Sequence, residues 1–413
     1  MSSQPSELRG RTLQVVLACS MCQTALGYGY VLSGPLSPYL LEEFGWSRAL
    51  LASAQAPQIW MVGLSSALVG YLAIRVGIRI LLSLGAVLLA AGFMLSSTLA
   101  SWWQFALLWM VQGLATGMLG DITVGAVVAQ WTQRSRAVAL GIAYAGSNLG
   151  GAVATRFFAA IAATAGWRTG LMALGFAALV LILPSTRLAK ERHEVELPES
   201  RGAASKTGSA EVFEEAEDHL DVSQALRTRS FWILLFTLMS FWMLLVTVLQ
   251  HFVLYLMDSG LSRGEATAHM ANLVLMGAAS KLVFGWVADR LTPPGAMKLD
   301  YAMLAISAGL LLVPPGPLVI WCFVVVMGFA YAARDVVTPL VIGHCFGIRY
   351  LAPLYGVLML TFPVGGTVGP IFAGYIQDET GSYQIAFALI AGMLLISFLM
   401  LFFLRDERAA RRT

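Results

Sequence analysis

The sequence predicts an all-α polytopic membrane protein in which twelve transmembrane helices form two six-helix bundles with inverted repeats. Three observations predict this fold: an apolar composition, apolar runs long enough to cross a bilayer, and a motif that occurs at the same place in both halves. Hydrophobic residues make up 58% of the 413 residues and charged residues only 12%, and the mean hydropathy is +0.74. A soluble domain carries about a quarter charged residues, so the composition excludes a soluble globular class.

Apolar runs separated by short polar turns predict the individual helices, because a membrane-spanning helix needs about 20 mostly apolar residues. The ninth run is the shortest and ends at the Pro314–Pro315 break. The runs lie near residues 13–35, 50–73, 78–99, 103–129, 137–163, 169–186, 230–257, 264–288, 298–313, 317–342, 351–377 and 383–404.

The runs fall into two groups of six on either side of a polar segment. Residues 1–186 are predicted to form the first bundle, and residues 230–413 the second bundle with a short cytoplasmic tail. Residues 187–229 are predicted to be a polar cytoplasmic linker. The stretch from Arg187 to Ser230 holds ten of the 23 acidic residues and few aliphatic ones, so it cannot bury a core. Its last part, DVSQALRTRSFW, fits a short interfacial helix.

The distribution of basic residues predicts the orientation in the membrane. With both termini cytoplasmic, 20 lysines and arginines lie in inner segments, and the outer loops carry only Arg48, Arg168 and Arg263. The positive-inside rule favours this arrangement. We therefore expect a multi-pass protein of the cell (inner) membrane with cytoplasmic N- and C-termini. It is expected to act as a monomer in the lipid bilayer, with no nucleic-acid partner.

Sequence signatures of enzymes and cofactor sites are missing. The chain contains no H-E-x-x-H and no Walker loop. Its one G-x-S-x-G, Gly260 to Gly264, follows an apolar membrane run rather than a strand, so no catalytic residues are expected. Cys19 and Cys22 form a C-x-x-C on a membrane helix without a second pair or a nearby histidine. This context favours packing over a redox or metal site. We expect no metal and no cofactor, with a proton as the coupling ion.

One short motif occurs after the second and after the eighth predicted helix. The first copy is GYLAIRVGIRI, from Gly70, and the second is GWVADRLTPPGAMK, from Gly285. Both follow G-x-[LV]-A-x-R, which resembles the loop signature of the major facilitator superfamily. The resemblance implies the major facilitator fold, with two bundles that rock about a substrate site at the membrane midplane. It also assigns a role in the conformational change to Gly70, Arg75, Gly285, Asp289 and Arg290.

Longer stretches resemble the monocarboxylate transporter and oxalate–formate exchanger branch of this superfamily. They include LLEEFGWSRALLASA after helix 1, RSRAVALGIAYAGSNLGGAV at helix 5, and QHFVLYLMDSGLSRGEA at the end of helix 7. The segment GTVGPIFAGYIQDETGSYQIAF between helices 11 and 12 belongs to the same set. Their order and spacing imply a transporter of small organic carboxylates.

Lys281 is the strongest candidate for substrate binding, because a lysine at bilayer depth is disfavoured by about 3 kcal/mol. Related transporters place a carboxylate-binding arginine four residues before the glycine that corresponds to Gly285. The resemblance therefore implies that Lys281 binds the substrate carboxylate, as a point charge without the bidentate fork of arginine. The alternatives are a structural ion pair and a lysine that snorkels to the inner boundary.

The chain departs from the family pattern at two positions. Proton-coupled members have an aspartate one turn before the cation, where this chain has Gly277. The oxalate–formate exchanger has a second cation on helix 11, where this chain has Phe362. A single central cation suits one carboxylate, because a dianion would leave a charge unpaired in a low-dielectric cavity. The sequence therefore favours a monocarboxylate, and it does not identify the proton carrier.

Asp121, Arg334 and Asp335 are predicted to form a layer across the two halves, beneath the substrate cation, that acts as an inner gate or proton relay. The alternative is that these charges satisfy other neighbours. Tyr331 lies three residues before Arg334 and therefore shares its helical face, so it is a further substrate-binding candidate.

His251, Asn148 and Tyr28 complete the predicted substrate contacts. His251 could carry a proton or stabilise an anion, or could bond a neighbouring backbone. Asn148 could bond the substrate, although the small residues around it favour close helix packing. Tyr28 and Tyr30 cannot both face the cavity, and Tyr28 is preferred.

These residues together predict a secondary active transporter that carries a small monocarboxylate, such as lactate or pyruvate, with a proton by alternating access. A proton-independent carboxylate exchanger is the alternative, and a membrane carboxylate sensor is a minor one.

Overall fold

The structure is a computed structural model that describes residues 6–131, 136–189, 220–347 and 350–408. These residues are almost entirely helical and contain no β-strand. Each of the twelve apolar runs corresponds to one helix, and four of these helices are interrupted. The helices are α1 (Ser6–Val31 with Ser33–Phe44), α2 (Arg48–Val76), α3 (Ile78–Ser96), α4 (Trp102–Met118 with Asp121–Trp131), α5 (Arg136–Ala165), α6 (Trp167–Ala177, Ala178–Ile182 and Leu183–Leu188), α7 (Arg229–Asp258), α8 (Arg263–Arg290), α9 (Pro293–Leu310), α10 (Pro317–Phe346), α11 (Leu351–Leu358 with Thr361–Thr380) and α12 (Gln384–Met400).

By length and apolarity alone, eight of the described helices could each cross a membrane. Helices α2, α5 and α8 lie against the opposite half of the molecule: α2 packs on α11, and α5 packs on α8. A helix that faces protein rather than lipid can carry polar and small residues, since other side chains satisfy them. This position accounts for polar residues such as Asn148 on α5 and Lys281 on α8.

The packing of the helices repeats with a shift of six. In the first half α1 packs on α5, α2 on α4, α3 on α4, and α3 on α6. In the second half the corresponding pairs are α7 with α11, α8 with α10, α9 with α10, and α9 with α12. Two pairs of helices join the halves, α2 with α11 and α5 with α8. When each helix number is shifted by six, one of these pairs becomes the other. The two halves are therefore related by a pseudo-two-fold axis.

Glycines allow α1 and α5 to approach closely. A Cβ at Gly27 would collide with the α5 backbone at Ser147 and Gly151, and one at Gly150 would lie 2.6 Å from the Cα of Thr24. Such contacts bring two backbones together where larger side chains would hold them apart. Cys19 and Cys22 are buried in the same half and form no disulfide.

The repeated motif lies inside helices rather than in loops. Gly70 and Arg75 belong to the last turns of α2, and Gly285, Asp289 and Arg290 to the last turns of α8. The guanidinium of Arg290 stacks 4.3 Å from the ring centre of Trp286, and Arg75 is exposed. The surroundings of Gly70 and Gly285 and the side chain of Asp289 lie outside the described part.

The end of the predicted linker is ordered against the second half. Asp221 and Gln224 form a capping box on the single turn Val222–Ala225, and the Leu220 amide donates to the Phe346 carbonyl at 3.1 Å. Residues 190–219 of the predicted linker lie outside the described residues. We call the end of the molecule where α6 ends at Leu188 and α7 begins at Arg229 the linker end, and the opposite end the far end.

Candidate functional site

A central cavity of about 160 Å³ lies between the two halves. Its walls come from α1, α4 and α5 of the first half and from α7, α8, α10 and α11 of the second. One side is aromatic and aliphatic and includes Tyr30, Trp242, Leu249 and Phe362. The other side is polar and carries Asp121, Ser147, Asn148, Lys281, Tyr331, Arg334 and Asp335.

Lys281 is held by groups from both halves. Its Nζ lies 3.2 Å from Asp335 Oδ2 of α10, and it donates to the Tyr144 carbonyl at 3.2 Å and to Ser147 Oγ at 3.3 Å on α5. Its side chain is 8% exposed. The ammonium thus lies among protein oxygens at the cavity, which does not fit the snorkelling alternative. In this conformation the lysine forms an ion pair while it faces the cavity.

Arg334 contacts the other oxygen of the same carboxylate. Its Nη2 donates to Asp335 Oδ1, and its guanidinium lies 4.4 Å from the ring centre of Trp242 and 5.1 Å from that of Phe241. Stacking on an aromatic face stabilises a cation that has left water. Asp335 therefore bridges two cations, one through each carboxylate oxygen.

Asp121 lines the cavity as the first residue of the second part of α4. It is exposed to the cavity, and its Oδ1 accepts a hydrogen bond from Gln23 Nε2 at 2.9 Å within its own half. Asp121, Arg334 and Asp335 thus line the same cavity as Lys281 instead of a separate layer beneath it. The four charged groups have a formal sum of zero.

Tyr331 and Asn148 join the two halves at the cavity wall. Asn148 Nδ2 donates to the Tyr331 hydroxyl and to the Val274 carbonyl at 3.3 Å. A Cβ at Gly277 would collide with Asn148 and lie 2.5 Å from the Tyr331 hydroxyl. The place where related transporters have an aspartate therefore has no room for a side chain.

Two predicted substrate contacts lie outside the cavity lining. Tyr28 is buried in the core of the first half, and Tyr30 lines the cavity in its place, 6.0 Å from Phe362 between ring centres. His251 is buried near the far end, where Nε2 lies 3.0 Å from the Pro370 carbonyl and Nδ1 lies 3.0 Å from the Tyr383 hydroxyl. Because a carbonyl only accepts, Nε2 carries the proton and Nδ1 accepts from Tyr383.

The far end is closed by a cluster of bonds between the halves, which we call the far-end gate (Arg48, Asp258, Asp378 and Tyr383). Arg48 at the start of α2 donates to both oxygens of Asp258 of α7, at 2.6 and 2.8 Å, and to the Tyr383 hydroxyl at 2.7 Å. Asp378 of α11 accepts from the amides of Arg48 and Ala49, at 3.0 and 2.9 Å. A carboxylate on the first amides of a helix is favourable, because these amides lack partners within the helix.

Two further contacts between the halves support this closure. Arg263 of α8 lies 2.5 Å from Glu42 of α1, and Arg156 of α5 donates to Asn272 of α8 at 2.5 Å. Arg168, the third basic residue of the predicted outer loops, pairs with Glu43 within the first half at 2.7 Å. Arg263 and Arg168 belong to the predicted outer loops, and only the expectation that each cation pairs with an acid could have suggested Glu42 and Glu43 from the sequence.

One buried acid was also missed. Asp300 lies on α9, where it is 1% exposed. The predicted ninth run begins near residue 298, so the sequence places this aspartate at a helix end rather than within the membrane.

Comparisons with known proteins agree with this architecture. The family model of the Major Facilitator Superfamily matches residues 19–333 and 301–413. Monocarboxylate transporter 11 of Homo sapiens is 25% identical over 401 residues, which cover 93% of this chain and 80% of that protein. Monocarboxylate transporter 12-B of Danio rerio is 25% identical over 355 residues, which cover 81% of this chain and 74% of that protein. The Probable L-galactonate transporter of Escherichia coli (strain K12) is 23% identical, with 89% and 84% covered.

The solved structures show the same fold. A bacterial homologue of the human lysosomal transporter Spinster, in an inward-facing and occupied conformation, superposes with a TM-score of 0.74 at 16% sequence identity, and 97% of each chain is covered. The family and the transporters among its relatives indicate a transporter rather than an enzyme. The chain is thus a multi-pass membrane transporter that belongs to the Major Facilitator Superfamily.

Proposed function

We propose that this protein is a secondary active transporter that carries a small monocarboxylate together with a proton by alternating access. The observation that carries the proposal is the position of Asp335, whose carboxylate lies between Lys281 and Arg334 at the central cavity. A carboxylate of the protein thus occupies the place that suits the carboxylate of a substrate.

Proton coupling follows from competition between two carboxylates for the same cations. Protonation of Asp335 removes its charge and leaves Lys281 and Arg334 without an anionic partner. An uncompensated charge in a low-dielectric site is unfavourable, so a substrate carboxylate is attracted to the vacated position. The formal charge of the cavity is the same before and after, since one proton and one anion have been added.

The same balance favours a monocarboxylate. The sequence predicted a single central cation on helix 8 or helix 11, and Arg334 of α10 adds a second cation to the cavity. The negative charges of Asp121 and Asp335 already balance the positive charges of Lys281 and Arg334. Release of Asp335 therefore makes room for one negative charge, and a dianion would leave a charge unpaired.

The apolar side of the cavity suits the body of the substrate. Trp242, Leu249 and Phe362 lie opposite the charged groups and can contact a short alkyl chain such as that of lactate or pyruvate. Tyr331 and Asn148 offer hydrogen bonds to its carboxylate or hydroxyl. We further propose that the protein lies in the cell membrane as a monomer with cytoplasmic termini, so that the far end faces outward and the cavity opens toward the cytoplasm.

Uptake by proteoliposomes tests the proposal. Radiolabelled acids that differ in size and charge are offered with and without an inward proton gradient. We expect the gradient to drive accumulation of a small monocarboxylate, Lys281→Ala to abolish it, and Lys281→Arg to retain substantial transport. Accumulation by Lys281→Ala at the wild-type level would contradict the assignment of Lys281.

A proton-independent carboxylate exchanger is the second candidate, and the lack of room for an acid at Gly277 favours it. Counterflow of labelled against unlabelled acid without a pH gradient occurs in both cases. Net uptake that responds to the proton gradient occurs only in the symporter, so its absence alongside normal counterflow would select the exchanger.

A further inference from the structure

Asp300 is a buried acid of the second bundle, and one of its carboxylate oxygens has no hydrogen-bond partner among the described residues. It lies on α9 with 1% of its surface exposed, and in the described part of the chain its Oδ1 has no partner. An ionised carboxylate in such a place would have lost water without gaining a donor, which disfavours the charged form. Burial without a donor therefore favours the protonated form of Asp300 in this conformation.

Charges act on Asp300 mainly from α10. Arg334 attracts its carboxylate and Asp335 repels it. On α9 itself, Tyr301 is its fully buried neighbour, and the Nζ of Lys298 lies 4.6 Å from the ring centre of Phe402. On the other side α9 packs on α12, whose residues Gln384–Met400 include no ionisable side chain.

Arg334 also has an unused donor. Its Nε is buried and has no hydrogen-bond partner among the described residues, although Nη2 contacts Asp335. Arg334 and Asp300 thus lie on two helices that pack together, one with an unpaired cationic donor and the other with an unpaired acceptor. Unpaired buried groups are unfavourable, so a conformation in which the two meet would satisfy both.

Asp300 lies nearer to the linker end than Arg334 does, as residue counts along the two helices show. Asp300 is seven residues from Pro293, the first residue of α9 at the linker end, or about 10 Å at the helical rise. Arg334 is twelve residues from Phe346, the last residue of α10 at that end, or about 18 Å. The buried hydroxyl of Thr338, on α10, also lacks a partner in the described structure.

We propose that Asp300 is a second proton-binding site, which receives the proton released by Asp335 and passes it toward the linker end. The inference rests on the proton coupling proposed above. The proton moves from the carboxyl of Asp335 to the carboxylate of Asp300, and Arg334 changes partner from Asp300 to Asp335. The summed charge of the three groups is unchanged, and the described conformation is the state after the transfer.

The test compares proton movement with substrate exchange in proteoliposomes that contain a trapped pH indicator and labelled acid. Asp300→Asn should retain counterflow but lose substrate-dependent proton entry by about tenfold or more. Asp300→Glu should retain proton entry with a shifted pH profile, because the carboxyl is kept but displaced. Ser307→Ala is the matched control, since Ser307 is a buried polar residue of α9 whose hydroxyl donates to the Leu304 carbonyl at 2.7 Å.

The outcomes separate this inference from the proposed function. Wild-type proton entry by Asp300→Asn would overturn the role of Asp300 and leave the symporter intact. Counterflow without proton entry in the wild type itself would overturn the symporter. If Asp300→Asn does not fold, the test rests on Asp300→Glu. An unchanged pH profile of proton entry in that variant would contradict a titrating role for residue 300.

Discussion

Lys281 Nζ lies 3.2 Å from Asp335 Oδ2, and this ion pair is formed within the second half while Lys281 also bonds α5 of the first half. The pair places a protein carboxylate on the cation that family resemblance assigns to the substrate. In the proposed mechanism a substrate anion binds Lys281 when Asp335 gives up its charge, which would link substrate binding to protonation.

The residues packed around Gly277 leave no room for an acidic side chain, and this leads to a first prediction. Gly277→Ala should strongly reduce folded yield or transport, because a Cβ there would lie 2.8 Å from the Tyr331 ring. Gly277→Asp should fail for the same reason and should not create a new proton carrier. Gly309→Ala is the control, since a Cβ at Gly309 meets nothing within 4 Å and alanine is favoured over glycine in helices by about 1 kcal/mol. Thermal unfolding in detergent and uptake measure both effects, and a stable, active Gly277→Asp would refute this account.

His251 has a structural role, which gives a second prediction. His251→Ala should lower the free energy of unfolding by about 1–3 kcal/mol, because the Tyr383 hydroxyl loses a buried acceptor and the Pro370 carbonyl loses a donor. The substrate KM should change little, since His251 is not part of the cavity lining. Denaturant unfolding and uptake kinetics separate the two effects. A large rise in KM without loss of stability would indicate direct substrate contact.

If the far-end gate closes the cavity, loss of one of its ion pairs should make the cavity more accessible from the far end. Asp258→Asn removes the anion that Arg48 contacts at 2.6 and 2.8 Å, although both side chains are partly exposed to solvent. A pair of this kind contributes up to about 1 kcal/mol, so we expect opening at the far end to rise about two- to fivefold. Labelling of Leu249→Cys by a membrane-impermeant reagent measures the change, with Glu43→Gln as the control because Glu43 pairs within one half. An equal effect in both variants would argue against the gate.

Trp242 is expected to set the strength of anion binding through Arg334. Trp242→Ala removes the ring that lies 4.4 Å from the guanidinium, and a buried cation–π contact contributes about 1–2 kcal/mol. We expect substrate affinity to fall about five- to thirtyfold, while Trp242→Phe retains most of it. Trp103→Ala, at an exposed tryptophan of α4, should leave affinity unchanged. Equal losses in the Ala and Phe variants would exclude the aromatic face as the cause.

The fold could be predicted from the sequence because its signals are long and redundant. Each apolar run marks one helix, and the motif at Gly70 and Gly285 places the repeat. The runs did not reveal that the motif continues α2 and α8 as helix, since glycine and arginine there resemble a loop. They also did not reveal the interruption that places Asp121 at the start of a new helical segment.

The site was predicted in part, because depth along a helix can be counted but helix rotation cannot. Lys281, Tyr331, Arg334, Asp335, Asn148 and Asp121 all line the cavity. Tyr28 and Tyr30 differ in their rotation about α1, and Tyr30 lines the cavity where the sequence favoured Tyr28. The far-end gate depends on contacts between residues over 200 positions apart, such as Arg48 and Asp258, which no local pattern encodes.

The central claim is that Asp335 competes with the substrate carboxylate for Lys281 and Arg334. Substrate binding to the purified protein, followed by tryptophan fluorescence from acidic to alkaline pH, tests it most directly. We expect wild-type affinity to fall as pH rises and Asp335 loses its proton, and we expect Asp335→Asn, which mimics the protonated side chain, to bind with an affinity that does not depend on pH. An Asp335→Asn variant that keeps the wild-type pH dependence would contradict the claim.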